Sequence, residues 1–295
     1  LFVGTLLGIV LPPLTAAAYC RTTTNDAFVP TASKPCDTGG TPLFWASKCL
    51  GFSVQRDASN QVDLASARAI AGRAFAEWSR HDCSEGGPSC GSGKPSITVS
   101  DLGPVTCDEV GYSAKGANAN IVAFRDGVWP HDGTALALTT VTYKRDTGEI
   151  FDADVEVQSN PKDVLLATRA AVPSNQYDLE SILVHEAGHV LGLAHAAPNA
   201  VTATMYASYR AGQTFMRDLA ADDICGICAA FPPSREAFCD PTPRGGLADQ
   251  CGVAADSGGG CALAAGPSGV SAIALLPLAL AVAARVRRKR LTAAS

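Results

Sequence analysis

A chain of 295 residues that is 47% apolar can build one large domain or two small ones, and a formal charge of −5 argues against nucleic acid as its partner. Eleven cysteines are too many for a reducing cytosol and point to an oxidising compartment. Five of the basic residues, Arg285, Arg287, Arg288, Lys289 and Arg290, stand in 261–295, which holds no acid, so the rest of the chain is more acidic than the total.

Leu1 to Ala18 is apolar and uncharged and ends in Ala16-Ala17-Ala18, which fits signal-peptidase cleavage. No Met or basic stretch precedes it, so a signal peptide with a truncated start is the expectation for 1–18. Tyr19 stands where a lipobox before Cys20 needs a small residue, so no lipoprotein is expected. Residues 19–42, rich in Thr, Pro, Gly and Cys, predict an irregular lead-in tied by a disulfide, with Cys36 in a bridge.

A domain is expected over 43–232. Leu50 to Val54 alternates like a strand. From Asp63 to Trp78 the apolar residues Leu64, Ala67, Ile70, Ala71, Ala74, Phe75 and Trp78 recur at three- and four-residue steps, predicting a helix with Asp63 as N-cap. Ser96 to Ser100 and Ala119 to Phe124 read as strands. Leu136 to Lys144 and Glu149 to Gln158 flank Asp146-Thr147-Gly148 as a hairpin. Asp152, Asp154 and Glu156 alternate along its second arm and could take calcium; a solvated strand face is the reading adopted.

Tyr177 to Val184 leads, with Asp178 as cap, into His185-Glu186-Ala187-Gly188-His189-Val190-Leu191-Gly192-Leu193-Ala194-His195. On a helix His185 and His189 sit one turn apart on the same face and can reach one metal. Gly192 lets the chain leave the helix and bring back His195 as third ligand. Three histidines leave a fourth position for water, the mark of a catalytic rather than a structural zinc. Glu186 is placed to act on that water as general base. Three of the five histidines of the chain lie here.

The extended motif, followed by Thr204-Met205-Tyr206, resembles the metzincin metallopeptidases, and the order strand, long helix, strands, metal-binding helix is closest to their matrixin branch. The resemblance implies an α+β domain: a twisted mixed sheet with an active-site helix and a C-terminal helix. It implies Met205 as a hydrophobic floor beneath the metal and Tyr206 lining the substrate cleft. It also implies that Leu219 to Phe231 is the closing helix, whose acids Asp222 and Asp223 hold the region after Met205. A peptide would lie extended and antiparallel to an exposed edge strand, placed within 135–145. The His-x-Asp cluster for a second zinc in animal matrixins has no counterpart, and Lys34-Pro35-Cys36-Asp37 only faintly echoes their inhibitory propeptide cysteine. Cys225 and Cys228 depart from the family; separate disulfides to Cys239 and Cys251 are expected.

Pro232-Pro233, Pro241-Thr242-Pro243, Gly245-Gly246 and Gly258 to Gly260 make 233–260 a linker on composition. Cys261, an uncharged apolar run over 262–284 and the basic end resemble the MYXO-CTERM type of bacterial C-terminal sorting signal; a plain tail anchor is the alternative for 261–295. The expectation is an exported, surface-held or released zinc endopeptidase of a Gram-negative-type bacterium, monomeric, acting on protein or peptide and touching membrane only through its tail. The rivals are a catalytically silent, zinc-containing surface adhesion module and a hydrolase of non-peptide bonds.

Overall fold

The computed structural model describes residues 19–250 and the backbone of 270–275. In chain order the elements are β1 (Cys20–Arg21), β2 (Cys49–Gln55), α1 (Leu64–Arg80), β3 (Thr98–Val105), β4 (Ile121–Arg125), β5 (Ala137–Lys144), β6 (Ile150–Gln158), β7 (Leu166–Ala167), β8 (Tyr177–Asp178), α2 (Leu179–Val190), β9 (Leu193–Ala194), α3 (Ala221–Ala230) and β10 (Val270–Leu275). The main sheet runs β10-β5-β6-β4-β2-β3, parallel from β3 to β6 and antiparallel at β5 and β10. This is the mixed α+β architecture expected.

The helix predicted from Asp63 forms where the spacing puts it. Asp63 caps it by accepting from Ser66 N, and it runs two residues past Trp78 to Arg80. Its buried stripe of Ala67, Ile70, Ala71, Ala74, Phe75 and Trp78 faces the sheet and α2. Phe75 packs its ring 4.7 Å from that of Phe52 on β2. The Trp78 indole is fully buried, and its N–H donates to Val184 O of α2 at 2.8 Å, which satisfies the one polar atom such a ring brings into a core. Trp45 does the same from the other end, donating to Val190 O at 2.8 Å. Two aromatic posts thus fix the height and rotation of α2.

The acidic face of β6 differs from the solvated face expected. Ala153, Val155 and Val157 point to the core, and the alternation puts Asp152, Asp154 and Glu156 on the other face, where all three are buried. Asp154 accepts from Gly111 N at 2.9 Å and Ile121 N at 3.0 Å, while Glu156 takes Arg125 Nε and His131 Nε2 at 2.7 Å each. Asp154 and Glu156 are acceptors for the chain covering that face, and among the described residues the triad of the motif is the one His/Cys/Asp/Glu group set to hold a metal. Asp152 Oδ1 has no partner.

Burial drives both aspartyl carboxyls up, Asp154 to about 7 and Asp152 well above the usual range, where the charge of Asp154 adds to the rise. A raised folded-state value means the folded protein holds the proton more tightly than the unfolded chain. The contribution of this pair is therefore full below about pH 4 and is lost as pH rises through the folded-state value. Asn at 152 supplies a donor at every pH. Asp152→Asn is expected to match the parent at about pH 3.5 and to exceed it at pH 8 by roughly 1–3 kcal/mol. Urea unfolding at the two pH values checks this; an equal shift at both would sink it.

The cysteines correct one expectation. Cys228 bonds to Cys83 and Cys225 to Cys90, so α3 is stapled back to the loop after α1 rather than forward to Cys239 and Cys251. Cys239 bonds to Cys49 at the start of β2, and Cys36 is in a bridge as predicted, to Cys20. The composition that reads as linker is, up to residue 250, laid along the domain. Arg235 donates to the carbonyls of Trp45, Ser47 and Ser96, and Asn118 bridges to Leu247.

β5 also departs from the exposed edge expected: over Thr139–Lys144 its outer side pairs antiparallel with β10. The signal peptide over 1–18, Cys251, Cys261 and the tail apart from Val270–Leu275 lie outside the described residues. No helix among those described is long and apolar enough to cross a membrane.

Candidate metal centre

α2 begins at Asp178, whose carboxylate accepts from Ser181 N and Oγ and from both Arg217 Nε at 2.7 Å and Arg217 Nη2 at 2.6 Å. This cap is buried, so its charge is matched by a two-pronged guanidinium, the geometry in which such a pair is strongest. The helix then presents His185 and His189 on one face. It ends at Leu191, and Gly192 takes φ +85°, the left-handed conformation a Cβ disfavours. A Cβ there would also sit 2.7 Å from Leu43 O. The two-residue β9 follows, and His195 returns to the other two.

The three rings have centroids 4.8, 4.8 and 5.2 Å apart, and one nitrogen from each lies within 4.8 Å of the others. His185 Nδ1 bonds Thr204 O at 2.7 Å and His189 Nδ1 bonds Leu193 O at 2.9 Å. A carbonyl can only accept, so each Nδ1 carries the proton and each Nε2 keeps its lone pair for a ligand. Nε2 of His189 and of His195 are buried atoms with no partner. Burial pushes His185 down to about 3, with help from His189, and His189 to about 4; His195 is also driven well below its usual value. Buried, partnerless Nε2 atoms on His189 and His195, with His185 beside them, fit the ligand set of a zinc ion, since buried polar atoms are otherwise satisfied.

Glu186 lies buried beside them. Thr139 Oγ1, from β5, donates to Glu186 Oε2 at 2.6 Å, while burial pushes the carboxyl up to about 7 against that hydrogen bond. Met205 is 2% exposed and lies against Gly188 of the ligand helix. Gly188 makes room for it: a Cβ there would stand 2.3 Å from Met205 Sδ and 2.7 Å from Trp78 Cζ2. Asp223 of α3 accepts from Thr204 N at 2.7 Å, Met205 N at 3.0 Å and Ala220 N at 3.0 Å. Asp222 instead accepts from Tyr19 N at 2.8 Å. Tyr206 is half-buried and packs against the core beside Met205.

The structure brings His185, His189 and His195 together, with Glu186 buried on the same helix and Met205 against Gly188 of that helix. Thr139 was not legible, because it stands in an ordinary run of β-branched residues. Arg217 was not either, since its partner is 39 positions away.

A mixed sheet backed by α1 and α2, with three imidazoles delivered by one helix and the turn after it, is the arrangement of a metzincin-like domain. The comparisons narrow this. Residues 113–231 match the family model for the matrixins, so the chain carries a matrixin-like domain. Fifty-seven residues, 19% of the chain, are 42% identical to Metalloendoproteinase 1-MMP of Arabidopsis thaliana. The aligned stretch spans 15% of that protein's own length.

Proposed function

We propose that the protein is a zinc-dependent endopeptidase, with zinc on His185, His189 and His195 and Glu186 as general base. The observation that carries this is the convergence of three imidazoles, two of them buried and oriented by backbone carbonyls, beside a buried carboxyl. A bound zinc would polarise the scissile carbonyl and lower the pKa of the attacking water. Glu186, with Oε2 held by Thr139, takes a proton from that water and passes it to the leaving amine. Met205 packs below the rings and donates nothing. The name of the plant relative supports the peptide bond as substrate.

An extended substrate would take the place of Val270–Leu275 along the outer side of β5, in the antiparallel pairing those residues make there. Four disulfides among the described residues support an exported, extracellular or surface-held protein. Calcium has no comparable support, because Asp154 and Glu156 already accept from other donors.

The test is zinc content and cleavage of an unfolded protein such as reduced casein by the oxidised protein. The expected result is about one zinc per chain, cleavage that a chelator abolishes, and recovery when zinc is returned. Zinc without cleavage of any protein or peptide would favour the adhesion module, ester cleavage alone a different hydrolase. A folded protein that takes no zinc would end the proposal.

A further inference from the structure

The lead-in carries no residue of the chemistry, yet it is built against the metal centre. β1 pairs antiparallel with β9, Cys20 opposite Ala194 and Arg21 opposite Leu193. Thr22 N donates to Gly192 O at 3.0 Å, and Arg21 Nε reaches the same carbonyl at 3.2 Å. The buried Thr22 hydroxyl donates to Leu193 O at 3.0 Å. That oxygen is also the acceptor for His189 Nδ1. The two lone pairs of one carbonyl are thus divided between a ligand histidine and the lead-in.

The lead-in is itself anchored. Cys20 is bonded to Cys36, Leu43 N donates to Thr22 O at 2.8 Å, and the Arg21 guanidinium also donates to Leu43 O. Arg21 stays charged at neutral pH although burial lowers it to about 10. The segment it holds needs holding: Gly192 is the most flexible residue type, and only Leu193 and Ala194 separate it from His195. A carbonyl with a second, fixed donor cannot rock freely, so the ring bonded to it keeps its plane.

We infer that Thr22, with Arg21 beside it, is a positioning residue of the metal centre: it fixes the Leu193 carbonyl that orients His189 and steadies the turn that delivers His195. The inference rests on the zinc reading above and adds a requirement to it. Groups that orient metal ligands from behind typically change affinity about 10- to 100-fold when removed.

The experiment is competition for zinc against a chromophoric chelator, on the full oxidised chain, for the parent, Thr22→Val, Thr22→Ser and Arg21→Gln. Thr22→Val keeps the shape and loses the donor; it is expected to bind zinc about 10- to 100-fold more weakly. Thr22→Ser restores the hydroxyl and is expected to stay within about threefold of the parent, a rescue that a plain packing role would not predict. Arg21→Gln, read the same way, carries the test if Thr22→Val does not fold, and should also weaken zinc. Val and Gln variants with parental affinity would overturn the inference and leave the endopeptidase reading standing. A parent that binds no zinc would overturn both.

Discussion

Glu186→Gln should retain zinc and lose turnover by about 10²- to 10⁴-fold, the usual range for removing a general acid–base group. The substitution is close to isosteric, and the side chain is buried, so the pocket keeps its shape. Thr139 Oγ1 still finds the amide oxygen or nitrogen at the place where it now meets Oε2. An amide cannot take a proton from water at neutral pH, and that function alone is deleted. His185 and His189 are oriented by Thr204 O and Leu193 O rather than by Glu186, so metal affinity should change little. Zinc stoichiometry and kcat on a fluorogenic peptide, measured together, separate the possibilities. A variant keeping more than about a tenth of parental kcat would remove Glu186 from the base role. A variant that loses its zinc would place the fault in the architecture of the site.

How much of this was legible before the structure depends on the range of the interaction. The ligand helix could be read because its information is local: His185 and His189 four apart, Gly192 where a positive φ is needed, and Asp178 as a cap. α1 was readable for the same reason, through a stripe of apolar residues at helical spacing. The disulfides were not, because Cys83–Cys228 and Cys90–Cys225 join residues 145 and 135 apart, and spacing carries no signal over that range. The nearer, later cysteines invited a pairing that the fold does not make. α3 turns its cysteines back toward the loop after α1, where Gly86 approaches so closely that a Cβ would lie 3.0 Å from Ala221 O.

The acids of β6 misled for a different reason. Alternating carboxylates on a strand normally mean water, and the period was right: they do share one face. What the pattern could not convey is that this face is roofed by chain offering Gly111 N, Ile121 N, Arg125 and His131 as donors. The lead-in taught the same lesson in reverse. Its irregular, Thr-rich composition suggested a passive tether, yet Thr22 and Arg21 spend their donors on carbonyls of the metal-bearing turn. In both places the composition was read correctly and the partner, far away in the chain, decided the role.

The second large effect is expected at Asp223, which touches no substrate. Its carboxylate takes three backbone N–H groups, from Thr204, Met205 and Ala220, and it is 1% exposed. Asp223→Ala leaves Thr204 N and Met205 N buried with no water to replace the acceptor, while Ala220 N is part-buried. Each orphaned buried donor costs about 1–3 kcal/mol. Even at the low end the loss is roughly 2 kcal/mol, a large share of a typical total of about 5–15 kcal/mol. Asp223→Asn should be little better, because one amide oxygen remains and the NH2 group faces donors. Asp222→Asn is the control: its neighbour keeps the three donors, and the Tyr19 N bond it alters is worth only about 1 kcal/mol. The damage at 223 should also reach the metal. Thr204 O orients His185, and Thr204 N is one of the freed donors, so zinc affinity should fall in the surviving folded fraction. The carboxyl of Asp223 is itself raised to about 6 by burial, so the comparison belongs at pH 7.5, where the parent is ionised. Its own titration works the other way: the stability it contributes through the proton is present below about pH 4 and lost as pH rises through the folded-state value. Urea unfolding of the metal-free proteins at pH 7.5 reads the first effect, and chelator competition the second. If Asp223→Ala lies within about 1 kcal/mol of the parent, the three N–H bonds are not what holds the Thr204–Met205 turn in place.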